Sequence, residues 1–260
     1  MATEEVGDLS RFETFRSILA RLRAPNGCPW DREQTHQSLR RALLEECHET
    51  LEALDAADDR RLVEELGDLL IHIGFHCQIG EEQGAFRWED VFRQVNAKLL
   101  RRHPHVFGDA RVDTARQVEE QWERIKKEEK PHASLLEGLP KGLPALAAAQ
   151  TISQRAARVG FEWPDLASVF QKVQEELAEL QQAQAPQERE NEMGDLLFTI
   201  VNLARWLGVD AESALRTANA RFARRWRAME EACQSRGVDL ASLPLEEKEA
   251  LWLEAKGSVG

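Results

Sequence analysis

Between residues 39 and 54, the apolar positions Leu39, Leu43, Leu44, Cys47, Leu51 and Leu54 recur at the three- and four-residue spacing that lays them along one helix face. The period returns in Leu62, Val63, Leu66, Leu69, Leu70 and Ile73, and again in Val169, Phe170, Val173, Leu177 and Leu180. Followed along the chain, it predicts helices over 10–23, 35–57, 60–83, 88–102 and 114–129, then 145–159, 165–185, 186–207, 211–233 and 245–255. Strand-like material is scarce, so the expected fold class is all-α.

Short blocks repeat inside these elements. Leu44-Glu45-Glu46-Cys47-His48-Glu49 aligns with Gln174-Glu175-Glu176-Leu177-Ala178-Glu179. Glu65-Leu66-Gly67-Asp68-Leu69-Leu70 aligns with Glu192-Met193-Gly194-Asp195-Leu196-Leu197. Asn96-Ala97-Lys98 and Arg102 match Asn219-Ala220-Arg221 and Arg225. Two copies in the same order point to duplication of a small helical domain rather than to a solenoid. Between them Pro131, Gly138, Pro140, Gly142 and Pro144 break helices. The expected organisation is one helical domain over 1–130, a linker over 131–145 and a second domain over 146–260.

At 100° per residue, Glu46 and Glu49 fall about 90° and about 150° from the centre of their apolar stripe, on one flank. Glu65 and Asp68 fall at about the same two angles on the next helix, whereas Glu64 points elsewhere. An antiparallel pair of these helices brings four carboxylates to the edge of the apolar interface. Glu176, Glu179, Glu192 and Asp195 repeat the arrangement, and Lys172 lies on the same flank one turn before Glu176. Gathered carboxylates repel and call for cations, and an oxygen-only donor set suits Mg²⁺ or Mn²⁺. For a single cluster, a solvated or arginine-paired acidic flank is an equally good reading. Repetition in register favours the metal.

Composition narrows the picture. Of 260 residues 42% are hydrophobic and 31% charged, with no tyrosine, which suits helices. No stretch reaches the roughly 18 to 20 apolar residues of a membrane span, and the start MATEEVGDLS is acidic, so the expectation is a soluble cytoplasmic protein without a membrane partner. The four cysteines are scattered as in a reducing compartment, and all are read as structural. A net charge of −12 argues against a general affinity for nucleic acid, but not against a polyphosphate bridged by divalent cations.

Glu-Glu-x-x-Glu followed by Glu-x-x-Asp resembles the signature of the MazG-type pyrophosphohydrolases, within an all-α group that also holds dimeric dUTPases and a histidine-biosynthesis enzyme. Gly27-Cys28-Pro29-Trp30-Asp31, Gln34-Thr35-His36, Arg101-Arg102-His103-Pro104-His105-Val106-Phe107 and Gly160-Phe161-Glu162-Trp163 extend the likeness over nearly the whole chain. The resemblance implies Mg²⁺-dependent hydrolysis of a nucleoside triphosphate to monophosphate and pyrophosphate, with sites completed in a homodimer. It implies that Glu176, Glu179, Glu192 and Asp195 hold the metal and that Glu175 orients water, making Glu175, Glu176 and Glu179 the catalytic set. Lys172, Arg221 and Arg225 then contact phosphates, and Trp252 and Lys256 close over the nucleotide. The N-terminal set of Glu46, Glu49, Glu65 and Asp68 retains metal ligands but has Ala42 where the second half has Lys172. The C-terminal copy is therefore expected to be the working site and the N-terminal copy weak or structural.

Other signals are weaker. Glu45-x-x-His48 has the spacing of a di-iron ligand pair, but Ala178 replaces the histidine in the second half. His103 and His105 flank Pro104 in an expected surface turn, and His72 and His76 suggest support of the acidic flank rather than ligation. Two alternatives stand beside the main reading. One is a narrow dNTP or dUTP pyrophosphatase; the other is a non-catalytic helical module that binds nucleotides or a regulatory protein.

Overall fold

The structure is a computed structural model that describes residues 7–129 and 134–258, and the chain divides into two compact units, 1–129 and 130–260. No strand occurs among the described residues. Each unit is a small helical domain, and the two follow one another in tandem.

The first unit contains α1 (Phe12–Arg23), α2 (Pro29–Glu33), α3 (Arg40–Asp55), α4 (Asp59–Glu82), α5 (Trp88–Arg102), α6 (Pro104–Phe107) and α7 (Ala115–Glu129). α3 and α4 pair through a tight turn in which Ala57 takes a positive φ of 51° and Asp58 caps α4, accepting from the Arg60 and Arg61 amides. The core lies towards the far end of α4, where Phe75, Cys77 and Ile79 meet Leu19, Leu39 and Trp88. Gly74 permits this approach. A Cβ there would stand 2.8 Å from Phe15 Cζ and closer still to Leu19 Cδ1.

The second unit contains α8 (Ala145–Arg158), α9 (Leu166–Gln182), α10 (Pro186–Trp206), α11 (Ala211–Ser235), a 3₁₀ turn (Leu240–Ser242) and α12 (Leu245–Ser258). α9 and α10 form the counterpart of the α3/α4 pair, with α8 packed against α10. Asp165 caps α9 through the Ser168 amide, and Pro186 opens α10, where a missing amide hydrogen costs nothing. α8 is fixed by polar contacts. Gln150 donates to the Val209 carbonyl at 3.1 Å and accepts from the Ala211 amide at 2.8 Å, while Ser153 bonds buried Asn202 and accepts from Arg205 Nε at 2.7 Å. α12 packs on α11 through Met229, Cys233, Leu251 and Ala255.

Several bounds differ from the sequence expectation. α3 begins at Arg40 rather than residue 35, because Thr35 and Ser38 bond each other's amides and hold the chain in a turn. α2, α6 and the 3₁₀ turn were not foreseen, and the expected surface turn at His103–His105 runs into α6. From Ser134 to Pro144 the chain is turn and irregular structure, ordered in part by Arg155, which donates to the Leu135 and Glu137 carbonyls at 3.0 Å. The rest of the expected linker before Ser134, 131–133, lies outside the described residues. The apolar stripes also exceed what each helix pair buries: Leu44, Val63, Leu66, Phe170, Leu177 and Leu197 remain exposed.

Candidate functional site

The α3/α4 turn sets the two helices side by side with their acidic flanks facing. Carboxylate oxygens of Glu46 and Glu49 on α3 and Glu65 on α4 lie within 4.8 Å of one another. In the second unit Glu176 and Glu179 on α9 and Glu192 on α10 do the same. The middle acid of each Glu-Glu-x-x-Glu run points inward. Glu176 is buried and Glu46 half-buried, while Glu45 and Glu175 are exposed. Asp68 and Asp195 fall outside the close trios, so the expected sets of four are three plus a neighbour.

The electrostatics reflect the crowding. Burial, then the charges of Asp68 and Glu49, pushes the Glu46 carboxyl above the ordinary range. Burial likewise raises Glu179; Lys172 opposes this, and the neighbouring Glu176, Glu175 and Glu192 add to it. Such carboxylates are short of positive charge. Lys172 supplies part of it, with Nζ 2.6 Å from Glu175 Oε1 and 2.9 Å from Glu176 Oε1, and the Glu175 bond leads in holding its ammonium well above the usual lysine value.

Sequence reasoning found no counterpart of Lys172 in the first unit, because Ala42 stands at the aligned position. Arg61, on the second helix, takes the place. Its Nε lies 3.1 Å from buried Glu65 and its Nη2 3.0 Å from Glu52. The i,i+4 spacing of Arg61 and Glu65 was the available signal. His72 stands behind the trio with Nε2 3.9 Å from Glu46 Oε1, and its buried Nδ1 has no hydrogen-bond partner among the described residues. His76, one turn on, meets His36 at 2.8 Å between Nδ1 atoms, with the rings stacked. Burial, then His36 and His72, pushes the His76 imidazole below its usual value.

On α11, Arg221 is exposed and Arg225 half-buried. The Arg225 guanidinium lies over the Trp252 ring at 5.8 Å, and its buried Nε has no hydrogen-bond partner among the described residues. Phe222 stands between Trp226 and Trp252, at ring separations of 6.1 and 5.0 Å. Trp252 is held on α12 against the α11 core, one turn before exposed Lys256. The structure thus joins Arg225 to Trp252 directly. Ahead of α9, Glu162 accepts from Trp206 Nε1 at 2.9 Å and pairs with Arg205 at 2.5 Å, which ties the Gly-Phe-Glu-Trp segment to α10.

The donor set in each trio is all oxygen, runs from one buried to one exposed glutamate and is partly deprived of counter-charge, which fits a hard divalent cation. No helix among the described residues is long and apolar enough to cross a membrane.

Comparison with known proteins agrees with the duplication. Residues 34–107 match the family model described as MazG nucleotide pyrophosphohydrolase domain, and residues 148–222 match that described as phosphoribosyl-ATP pyrophosphohydrolase. A Thermotoga maritima protein named nucleoside triphosphate pyrophosphohydrolase/pyrophosphatase MazG is 48% identical over 248 residues, covering 95% of this chain and 96% of its own length. An Escherichia coli K12 protein named nucleoside triphosphate pyrophosphohydrolase is 43% identical over 257 residues, covering 95% of this chain and 98% of its own. Bacillus subtilis YabN, a protein without an assigned role, is 47% identical over 94% of this chain, which spans 51% of that longer protein. With likeness of this extent running through both halves, the chain belongs to the MazG family of nucleoside triphosphate pyrophosphohydrolases.

Proposed function

We propose that the protein hydrolyses nucleoside triphosphates to monophosphate and pyrophosphate, with Mg²⁺ as its cofactor and Mn²⁺ as a substitute. The observation that carries this reading is the convergence of Glu176, Glu179 and Glu192 with Lys172 at their edge. The names of the full-length relatives support the reaction class.

In this reading Glu176, Glu179 and Glu192, with Asp195 beside them, hold the metal. When bound, it neutralises phosphate charge and acidifies a water for attack at phosphorus. Glu175, exposed and bonded to Lys172, accepts a proton from an attacking water and orients it. Lys172 exchanges its carboxylate partners for phosphate oxygens as substrate arrives, and Arg221 and Arg225 take the charge that develops on the leaving pyrophosphate. Trp252 carries Arg225 on its ring and, with Lys256, covers the nucleotide. The N-terminal trio, with Asp68, is a weaker or structural metal site.

The half-exposed apolar stripes on α3, α4, α9 and α10 support a homodimer, since a second copy of the same surface is the simplest cover for them. Broad base specificity and a part in clearing altered nucleotides or in a stress response belong to the same reading, as does a cytoplasmic location. The expected domain limits, with the boundary in 131–145, also remain part of it.

The test is direct. Purified protein incubated with Mg²⁺ and a panel of triphosphates should release monophosphate and pyrophosphate, resolved by ³¹P NMR. Diphosphate plus orthophosphate, or no turnover, rejects it, and turnover of a single deoxynucleotide selects the narrow pyrophosphatase alternative.

A further inference from the structure

The repeat puts Arg101 and Arg102 of α5 in register with Arg224 and Arg225 of α11, yet the two copies meet opposite surroundings. Arg225 lies on Trp252 with its buried Nε unsatisfied among the described residues. A guanidinium left in this way is short of one oxygen. Arg102 is paired with a carboxylate. Its Nη2 donates to Glu129 Oε2 at 2.7 Å and its Nε to Glu129 Oε1 at 3.3 Å, while Arg101 Nε donates to the same Oε1 at 2.7 Å.

Two arginines closing on both oxygens of one anion is how guanidinium groups hold a phosphate. Here the anion is the last described residue of α7, a helix anchored to the same region by Trp122 against His103 at 5.3 Å between rings. The Arg102 and Arg101 bonds hold the Glu129 carboxyl down to about 2, so the stand-in is charged at neutral pH. The N-terminal carboxylate trio is otherwise assembled as in the second unit. What distinguishes the two units is therefore the occupation of the basic residues as much as the acids.

We propose that Glu129 is an internal substitute for a substrate phosphate, filling the anion position on Arg101 and Arg102 and so closing a latent polyphosphate site in the N-terminal domain. The proposal rests on the reading above that Arg225 serves phosphates. It assigns the N-terminal domain a ligand class, a magnesium-bound polyphosphate, and names α7 as the element that excludes it.

Isothermal titration of the full-length chain with Mg²⁺ and inorganic tripolyphosphate tests this. Wild type should bind one equivalent per chain and Glu129→Ala two, with the second returning to one when Arg102→Ala is added. Glu129→Gln, which keeps the shape but removes the charge, guards against a folding failure of the alanine variant and should likewise bind two equivalents. One equivalent in both Glu129 variants overturns the proposal. So does a second equivalent that survives Arg102→Ala. Wild type that binds none indicts the reading of the C-terminal site instead, and the Glu129 proposal is then judged on whether its variants acquire one equivalent.

Discussion

Arg61 Nε lies 3.1 Å from Glu65 Oε1, one helical turn before the buried acid it serves, as Lys172 Nζ lies 2.9 Å from Glu176 Oε1. Each domain thus gives its most enclosed glutamate a cation at i−4, but from opposite helices of the pair. Lys172 bonds two acids of the Glu-Glu-x-x-Glu run, whereas Arg61 is tied to Glu52 on α3 as well as to Glu65.

Lys172 should therefore matter for turnover. Lys172→Met removes a cation from beside buried Glu176 and from the path of the phosphates, and should lower kcat/KM by about 10²-fold, the scale of losing one preorganised electrostatic contact. Steady-state kinetics with a saturating metal check it, and a loss under about threefold contradicts the role.

Unequal sites predict unequal losses. Glu179→Ala should remove most turnover, while Glu49→Ala, at the matching position of the other trio, should remove much less. Equal losses in pyrophosphate release would mean that both domains work.

Crowded acids predict how metal-free stability depends on pH. Burial and the Asp68 and Glu49 charges hold Glu46 above its ordinary 4.5, so the folded chain keeps a proton that the unfolded chain releases. The associated stability is present below 4.5 and lost as pH rises through the raised folded value. Glu46→Gln should flatten that loss in urea titrations without metal, and added Mg²⁺ should stabilise wild type more than the variant. Parallel pH profiles would show that the crowding carries no energetic weight.

Glu129 has the opposite sign. Its carboxyl, held down to about 2 from 4.5 by Arg102 and Arg101, contributes stability that is present above 4.5 and lost as pH falls towards 2. The stability gap between wild type and Glu129→Gln should shrink across that interval, and a constant gap would mean that the pairs are screened by solvent.

Close packing at α4 gives a prediction independent of chemistry. Gly74→Ala forces a methyl against buried Leu19 and against Phe15, costing about 1–3 kcal/mol. About 1 kcal/mol of this is returned as helix propensity. A lower melting temperature is expected, and a rise would show that Leu19 repacks freely.

The long helices were legible because their apolar period runs for four or more turns, and the facing of Glu46 with Glu65 followed from helical angles alone. α2 and α6, at five and four residues, are too short to display a period. Their sign was a proline at the first helical position, Pro29 and Pro104. The contacts of Arg102 with Glu129 and of His36 with His76 span 27 and 40 residues, so they depend on how helices pack rather than on local spacing. Arg61 was within reach of the sequence. Position-by-position alignment of the halves hides it, because Arg61 lies on the second helix of its pair and Lys172 on the first.

The apolar flanks left open on α3, α4, α9 and α10 would make the chain's stability a matter of mass action if a second copy covers them. Val63 is 73% exposed and Leu44 57%, surface that a partner copy would remove from water. If association provides that cover, the melting temperature rises with protein concentration. Dilution then loosens the same helices that carry the acidic trios, so specific activity falls along with the oligomer rather than holding constant per chain.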